Sequence, residues 1–235
     1  MSRGFVWLLY EPAHSPGPWG SRYPREVWLE CLRRSILTFA KFNPRECLLL
    51  IDAHRTLTVY EKQKLGCDWL TTEFTEDWPK SNWSKVLAHQ VSPFRETCLV
   101  DLDVHFCAPY GDIFDHVTEP LGALHYPDFQ RCQTRINTGI SVCKDKRALA
   151  GWVRHRDSTR DRDDDELPLD RAIVAGDARV TLLPDTWARY HNAWRWWQSD
   201  RNWPVDQATS GARAYHWMEL KPQMAGDVSI STMLG

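Results

Sequence analysis

Thr97-Cys98-Leu99-Val100-Asp101-Leu102-Asp103-Val104-His105-Phe106 is the stretch around which the rest of the chain can be read. β-Favouring apolar residues run up to two aspartates spaced i, i+2 and then resume. On a strand, side chains alternate faces, so this spacing predicts that Asp101 and Asp103 emerge together while Val100 and Leu102 point the other way. Two carboxylates held close at the end of an apolar strand repel each other and lose hydration. A divalent cation, Mn²⁺ or Mg²⁺, is the economical compensation, because both ions take hard carboxylate oxygens. The bland alternative is a solvated aspartate turn.

Upstream of that stretch, strand and helix signals alternate. Residues 5–10 are apolar on both faces and read as a central strand ending at Tyr10, followed by a proline- and glycine-rich loop over 11–20. A helical stripe over 21–42 stops at Asn43-Pro44. Residues 46–52 predict a second buried strand ending at Asp52, 56–65 a short helix closed by Gly66, and 68–74 a third strand. A helix over 82–92 carries Lys85 and is broken by Pro93 before the aspartates. This rhythm predicts an α/β sheet of mostly parallel strands, in which ligands bind beyond the carboxyl ends of the strands. Tyr10, Asp52 and Asp101 all fall at such ends.

Downstream the rhythm changes. Residues 108–115 predict a turn and a helical turn, 121–125 and 136–144 short strands, and 147–155 a helix. The densely charged segment 154–166 reads as a surface loop, then 169–175 as a helix ending at Gly176 and 179–183 as a strand. The last ~35 residues carry no assignable pattern.

Composition narrows the function classes. A chain of 235 residues can bury one substantial core, and a single domain is expected over its whole length. A formal net charge of −2 argues against a general polyanion binder. The seven cysteines show no C-x-x-C spacing and several sit in apolar runs, which suits reduced thiols in a cytoplasmic protein and no zinc ribbon. No apolar run approaches the roughly 20 residues of a membrane span, so a membrane partner is not expected. Thirteen tryptophans are unusual. Trp187, Tyr190, Trp194, Trp196, Trp197 and Trp203, interleaved with Arg189, Arg195 and Arg201, suit either an aromatic wedge in the core or a stacking platform for sugars or unpaired bases.

Taken in order, Lys85, Asp101-Leu102-Asp103, Tyr110-Gly111-Asp112-Ile113-Phe114-Asp115, Ile136-Asn137-Thr138-Gly139-Ile140, Asp165-Glu166 and His216 with Lys221-Pro222 resemble the GT-A-fold nucleotide-sugar glycosyltransferases. The similarity is to the group that includes glycogenin and the lipopolysaccharide galactosyltransferases, and it covers roughly residues 5 to 222. It implies a GT-A, Rossmann-like sheet with a nucleotide-binding half near 1–106 and an acceptor-side half near 107–235. It also implies a nucleotide-sugar donor, with uridine as the base by analogy.

By that resemblance Asp101 and Asp103 would be metal ligands on the donor diphosphate, with His216 as the third protein ligand. Tyr10, Lys85, Asn137 and Lys221 would contact the donor. His216-Trp217-Met218-Glu219-Leu220-Lys221-Pro222 is one residue shorter than the family's H-x-x-G-x-x-K-P pattern and lacks its glycine, and His191 competes for the ligand role. Asn137-Thr138-Gly139 is similar to the family's N-A-G. Asp165-Glu166 resembles the D-Q beside the sugar's reactive carbon, with glutamate replacing glutamine, and the run Asp163-Asp164-Asp165 admits other registers. A carboxylate at 166 could act as a general base for an inverting attack, so retention and inversion both stay open. The implied acceptor is a hydroxyl on a glycan, on a protein or on a hydroxymethylated base in DNA, the last suggested by the Arg/Trp segment. The alternatives are a nucleotidyltransferase on the same sheet and a non-catalytic sugar-binding relative.

Overall fold

The structure is a computed structural model and describes residues 2–10, 25–53, 57–72, 84–125, 136–156, 165–190 and 211–217. In chain order its elements begin with β1 (Arg3–Tyr10), α1 (Arg25–Phe42), β2 (Leu48–Ala53), α2 (Val59–Gln63), β3 (Asp68–Thr72), α3 (Ser84–Val91) and β4 (Glu96–Val100). They continue with β5 (Val104–Phe106), α4 (Ile113–His116), β6 (Leu121–His125), β7 (Ile136–Cys143), α5 (Leu149–Arg154), α6 (Glu166–Val174), β8 (Val180–Leu183), β9 (Arg189–Tyr190) and β10 (Ala214–His216). A seven-stranded sheet has the order β3-β2-β1-β4-β7-β6-β8. Pairing is parallel from β3 through β4 and between β6 and β8, and antiparallel on both sides of β7. The mixed, mostly parallel sheet agrees with the sequence expectation.

β1 is central because both of its faces are apolar. Phe5, Trp7 and Leu9 pack with Leu32, Ile36 and Phe39 of α1 on one side, while Val6 packs with Ala88 of α3 on the other. This is the two-sided burial expected of a strand between helical layers. The Trp7 indole also donates to Ser35 Oγ at 2.8 Å. Asn43 ends α1 as anticipated, and its side chain ties the helix end to the following half of the chain: Oδ1 accepts from the backbone of Tyr110 at 2.7 Å and of Gly111 at 3.1 Å. α2 is shorter than the sequence suggests. A capping box between Thr58 and Glu61 starts it, and Gly66, at φ +68°, turns the chain after it.

The main correction falls on the aspartate stretch. Read as one strand over 97–106, it is two strands in two different sheets. β4 ends at Val100, Asp101 N–H makes a last bond to Gly139 O at 2.8 Å, and the chain turns, with Val104 N–H donating to Asp101 O at 3.3 Å. β5 then joins a second, three-stranded sheet of order β5-β10-β9. Strand alternation therefore does not carry through Asp101 and Asp103; a turn brings them together. The charged segment 154–166 also ends differently from its reading as an exposed loop, since Asp165 is 3% exposed and Glu166 opens α6. The unassigned C-terminal region contributes β10. No described helix is long and apolar enough to cross a membrane, and the six described cysteines are all free.

Candidate functional site

The site sits where the two sheets meet, beyond the carboxyl end of β4. Asp101 and Asp103 come from the β4–β5 turn, and β10 delivers His216, whose register partner Val104 directly follows Asp103. His216 Nε2 lies 3.1 Å from Asp103 Oδ1 and 3.5 Å from Asp101 Oδ2. One ligand atom from each of the three residues falls within 4.8 Å of the others, and Asp103 and His216 are buried. Two carboxylates and an imidazole at this spacing fit a divalent cation of the Mn²⁺ or Mg²⁺ kind. Gly139 makes the room: a Cβ there would lie 2.2 Å from Cε1 of His216. His216 thus joins the aspartates despite its shortened motif. His191 lies outside the described residues.

Lys85, on α3, forms the opposite wall. Its Nζ lies 3.0 Å from both carboxylate oxygens of Asp101, 3.5 Å from Asp165 Oδ2 and 3.3 Å from Thr138 Oγ1. Burial alone would lower the ammonium's pKa, but Asp101, Asp165 and Glu166 outweigh it and hold the pKa above its ordinary value. Lys85 stays charged. Its charged partners are the carboxylates of Asp101 and Asp165.

Asp165 and Glu166 stand at the start of α6. The Thr138 hydroxyl donates to Asp165 Oδ2, and Asp165 O accepts from the Trp152 indole at 2.8 Å. Glu166 Oε1 accepts from Asn137 Nδ2 at 2.5 Å and from Thr138 N–H at 3.3 Å. Asn137 Oδ1 in turn accepts from Gly139 N–H at 2.9 Å. The three residues of Asn137-Thr138-Gly139 therefore do three things: Asn137 fixes Glu166, Thr138 bridges Lys85 to Asp165, and Gly139 leaves space for His216.

Among the predicted site residues, Asp101, Asp103, His216, Lys85, Asn137, Asp165 and Glu166 form one cluster. Tyr10 ends β1, and its side chain lies outside the description. Lys221, Asp163, Asp164 and most of the Arg/Trp segment also lie outside the described residues; Trp187, which is described, packs edge-on against Tyr110 in the core. Sequence reading missed Thr138 and Trp152. The position of Thr138 between Asn137 and Gly139 was a usable signal. Trp152 had none, because its partner is a backbone oxygen on another element.

No family model matches the sequence, and no curated protein matches it either. Solved structures do. The structure is similar to the apo form of mouse xyloside xylosyltransferase 1, at TM-score 0.55 and 12% identity over 92% of this chain and 97% of that one. It is similar to the glycosyltransferase GlyE of Streptococcus pneumoniae TIGR4, at TM-score 0.61 and 11% identity over 99% of this chain and 63% of that one. It is also similar to the galactosyltransferase LgtC in complex with donor and acceptor sugar analogs, at TM-score 0.54 and 11% identity over 95% of each. The chain has the GT-A fold of these glycosyltransferases.

Proposed function

We propose that this protein is a metal-dependent glycosyltransferase that moves a sugar from a nucleoside-diphosphate donor, with uridine as the base, to a hydroxyl acceptor. The observation that carries the reading is the convergence of Asp101, Asp103 and His216 within 4.8 Å of one another at the carboxyl end of β4. Asp103 and His216 are buried and already touch, which favours them as fixed ligands, with Asp101 completing the set from a partly exposed position. A divalent cation held there would act as a Lewis acid on the departing diphosphate.

The remaining residues divide the work by burial. Asp165 is buried and engaged by Thr138 and Lys85, so it orders the wall rather than meeting an acceptor. Glu166 is half-buried, and Asn137 and Thr138 hold its Oε1 in place, which suits a carboxylate that takes the proton from an acceptor hydroxyl. Lys85 offers its charge to phosphate oxygens once a cation shares the carboxylates. A sugar acceptor is favoured by the similarity to LgtC, whose structure holds an acceptor sugar analog. The alternative of a hydroxymethylated DNA base rests on an Arg/Trp segment that lies mostly outside the described residues.

The test is to incubate the protein with a panel of nucleotide sugars and Mn²⁺ or Mg²⁺ and to follow nucleoside diphosphate release. Release that needs the cation, and that falls at least about 100-fold in Asp103→Ala, is expected. Pyrophosphate release would point to nucleotidyl transfer instead, and no turnover with any donor to a non-catalytic sugar-binding relative.

A further inference from the structure

Asp103 and His216 are 113 residues apart in sequence, yet their contact depends on a very short ladder. β5 and β10 pair over only Phe106–Ala214, His105–Tyr215 and Val104–His216, and β9 adds two residues. So small a sheet is marginal by itself, whereas a metal site tolerates ligand displacements of only about 0.2 Å. Something must fix the end of the ladder at which the ligands sit.

Trp217, the residue after His216, is placed to do so twice. Its backbone N–H donates to Asp103 O at 2.8 Å, and its indole N–H donates to His105 Nδ1 across the two strands. The residues so joined lie at or close to the ligands: Trp217 directly follows His216, its backbone bond reaches Asp103 itself, and His105 lies two positions beyond Asp103. The His105 ring also stacks on Tyr215, its register partner across the ladder, with centroids 5.4 Å apart. His105, Tyr215 and Trp217 are each no more than 5% exposed, so these bonds form away from competing water. An indole only donates, which makes His105 the acceptor through an unprotonated Nδ1.

We propose that the Trp217–His105 hydrogen bond is a positioning clamp that sets His216 against Asp103 and so determines the cation affinity of the site. Neither residue ligates; each acts through the ligand beside it. The proposal rests on the metal-binding reading given above.

The experiment measures Mn²⁺ affinity by isothermal titration for the wild-type chain and for Trp217→Phe, His105→Leu, His105→Asn and His216→Ala, with circular dichroism as the check on folding. Trp217→Phe keeps an aromatic ring but loses the donor, and His105→Leu removes the acceptor from the other side. Both are expected to weaken Mn²⁺ binding about tenfold to 100-fold, the range of residues that orient metal ligands. His105→Asn, whose amide oxygen can accept the indole N–H, is expected to stay within about threefold of wild type. Should either loss variant fail to fold, the other carries the comparison with His105→Asn. Wild-type affinity in Trp217→Phe or His105→Leu, alongside a loss in His216→Ala, overturns the clamp and leaves the metal site standing. Equal losses in His105→Asn and His105→Leu also overturn it. A wild-type chain that takes up no Mn²⁺ overturns both readings.

Discussion

At the carboxyl end of β2, Lys62 and Asp52 pair 2.6 Å apart, whereas beyond β4 Lys85 faces Asp101 and Asp165, with Glu166 near it and Asp103 in the same cluster. Both lysines are nearly buried, so burial does not separate the two places. Charge balance does. Asp52 is fully enclosed and also accepts from Leu57 N–H at 3.2 Å, while Lys62 also donates to Thr71 at 2.9 Å. Among the described residues, that pair sets one carboxylate against one ammonium, away from solvent. At the second place Lys85 pairs with two carboxylates, Asp101 and Asp165, with Glu166 near enough to help raise its pKa, and Asp101 remains about a quarter exposed. Several carboxylates gathered around one lysine, with an opening to solvent, suit a cation-dependent site; a fully buried carboxylate set against a buried lysine suits strand-end packing.

The sharpest way to break that contrast is Lys62→Met. It leaves Asp52 buried without its cation, and urea denaturation should show a loss of about 3–5 kcal/mol that saturating Mn²⁺ does not restore. Recovery with Mn²⁺ would mean that Asp52 belongs to the metal site after all. Lys85→Met should cost less, about 2 kcal/mol in metal-free buffer, because Asp101 keeps some water. Here Mn²⁺ should return most of the loss, since a cation can replace the missing ammonium. If it returns nothing, the carboxylates do not share an ion.

Gly139→Ala places a methyl group 2.2 Å from the His216 ring and should weaken Mn²⁺ binding about tenfold, read by titration. Unchanged affinity would remove His216 from the ligand set. The last test concerns His89, whose Nε2 meets Ser141 Oγ at 2.9 Å beneath the Lys85 wall. Burial, with Lys146 and Lys85 nearby, pushes its pKa down to about 3, while the unfolded imidazole titrates at about 6.5. Between those values the unfolded chain binds the extra proton, so stability is retained above ~6.5 and falls as pH drops, by up to about 1.4 kcal/mol per pH unit. Urea unfolding across that window should show His89→Gln with a shallower slope; an unchanged slope would exclude His89 as its source.

Much of the fold was legible because its strands announce themselves. β1, β2 and β4 are apolar runs buried on both faces, and Asn43-Pro44 and Gly66 mark where helices end. The aspartate stretch misled in an instructive way. Residue alternation describes one strand well but cannot register that the chain leaves one sheet at Val100 and enters another at Val104, because the partner of the second strand, Ala214–His216, is more than 100 residues away. Lys85, Asp101, Asp103, Asn137, Asp165, Glu166 and His216 could be nominated from their order. The bonds could not: the bridge that Thr138 makes from Lys85 to Asp165 and the Trp217–His105 contact exist only once distant segments meet.

The central claim is that Asp101, Asp103 and His216 hold one divalent cation. Its most direct test is the stoichiometry of Mn²⁺ bound at equilibrium in the presence of uridine diphosphate, measured for wild type and for Asp103→Asn, which keeps the side-chain shape and loses the charge. The account predicts about one ion per wild-type chain and essentially none in the variant at the same concentration. A variant that binds Mn²⁺ as the wild type does, or a wild-type chain that binds none, would contradict it.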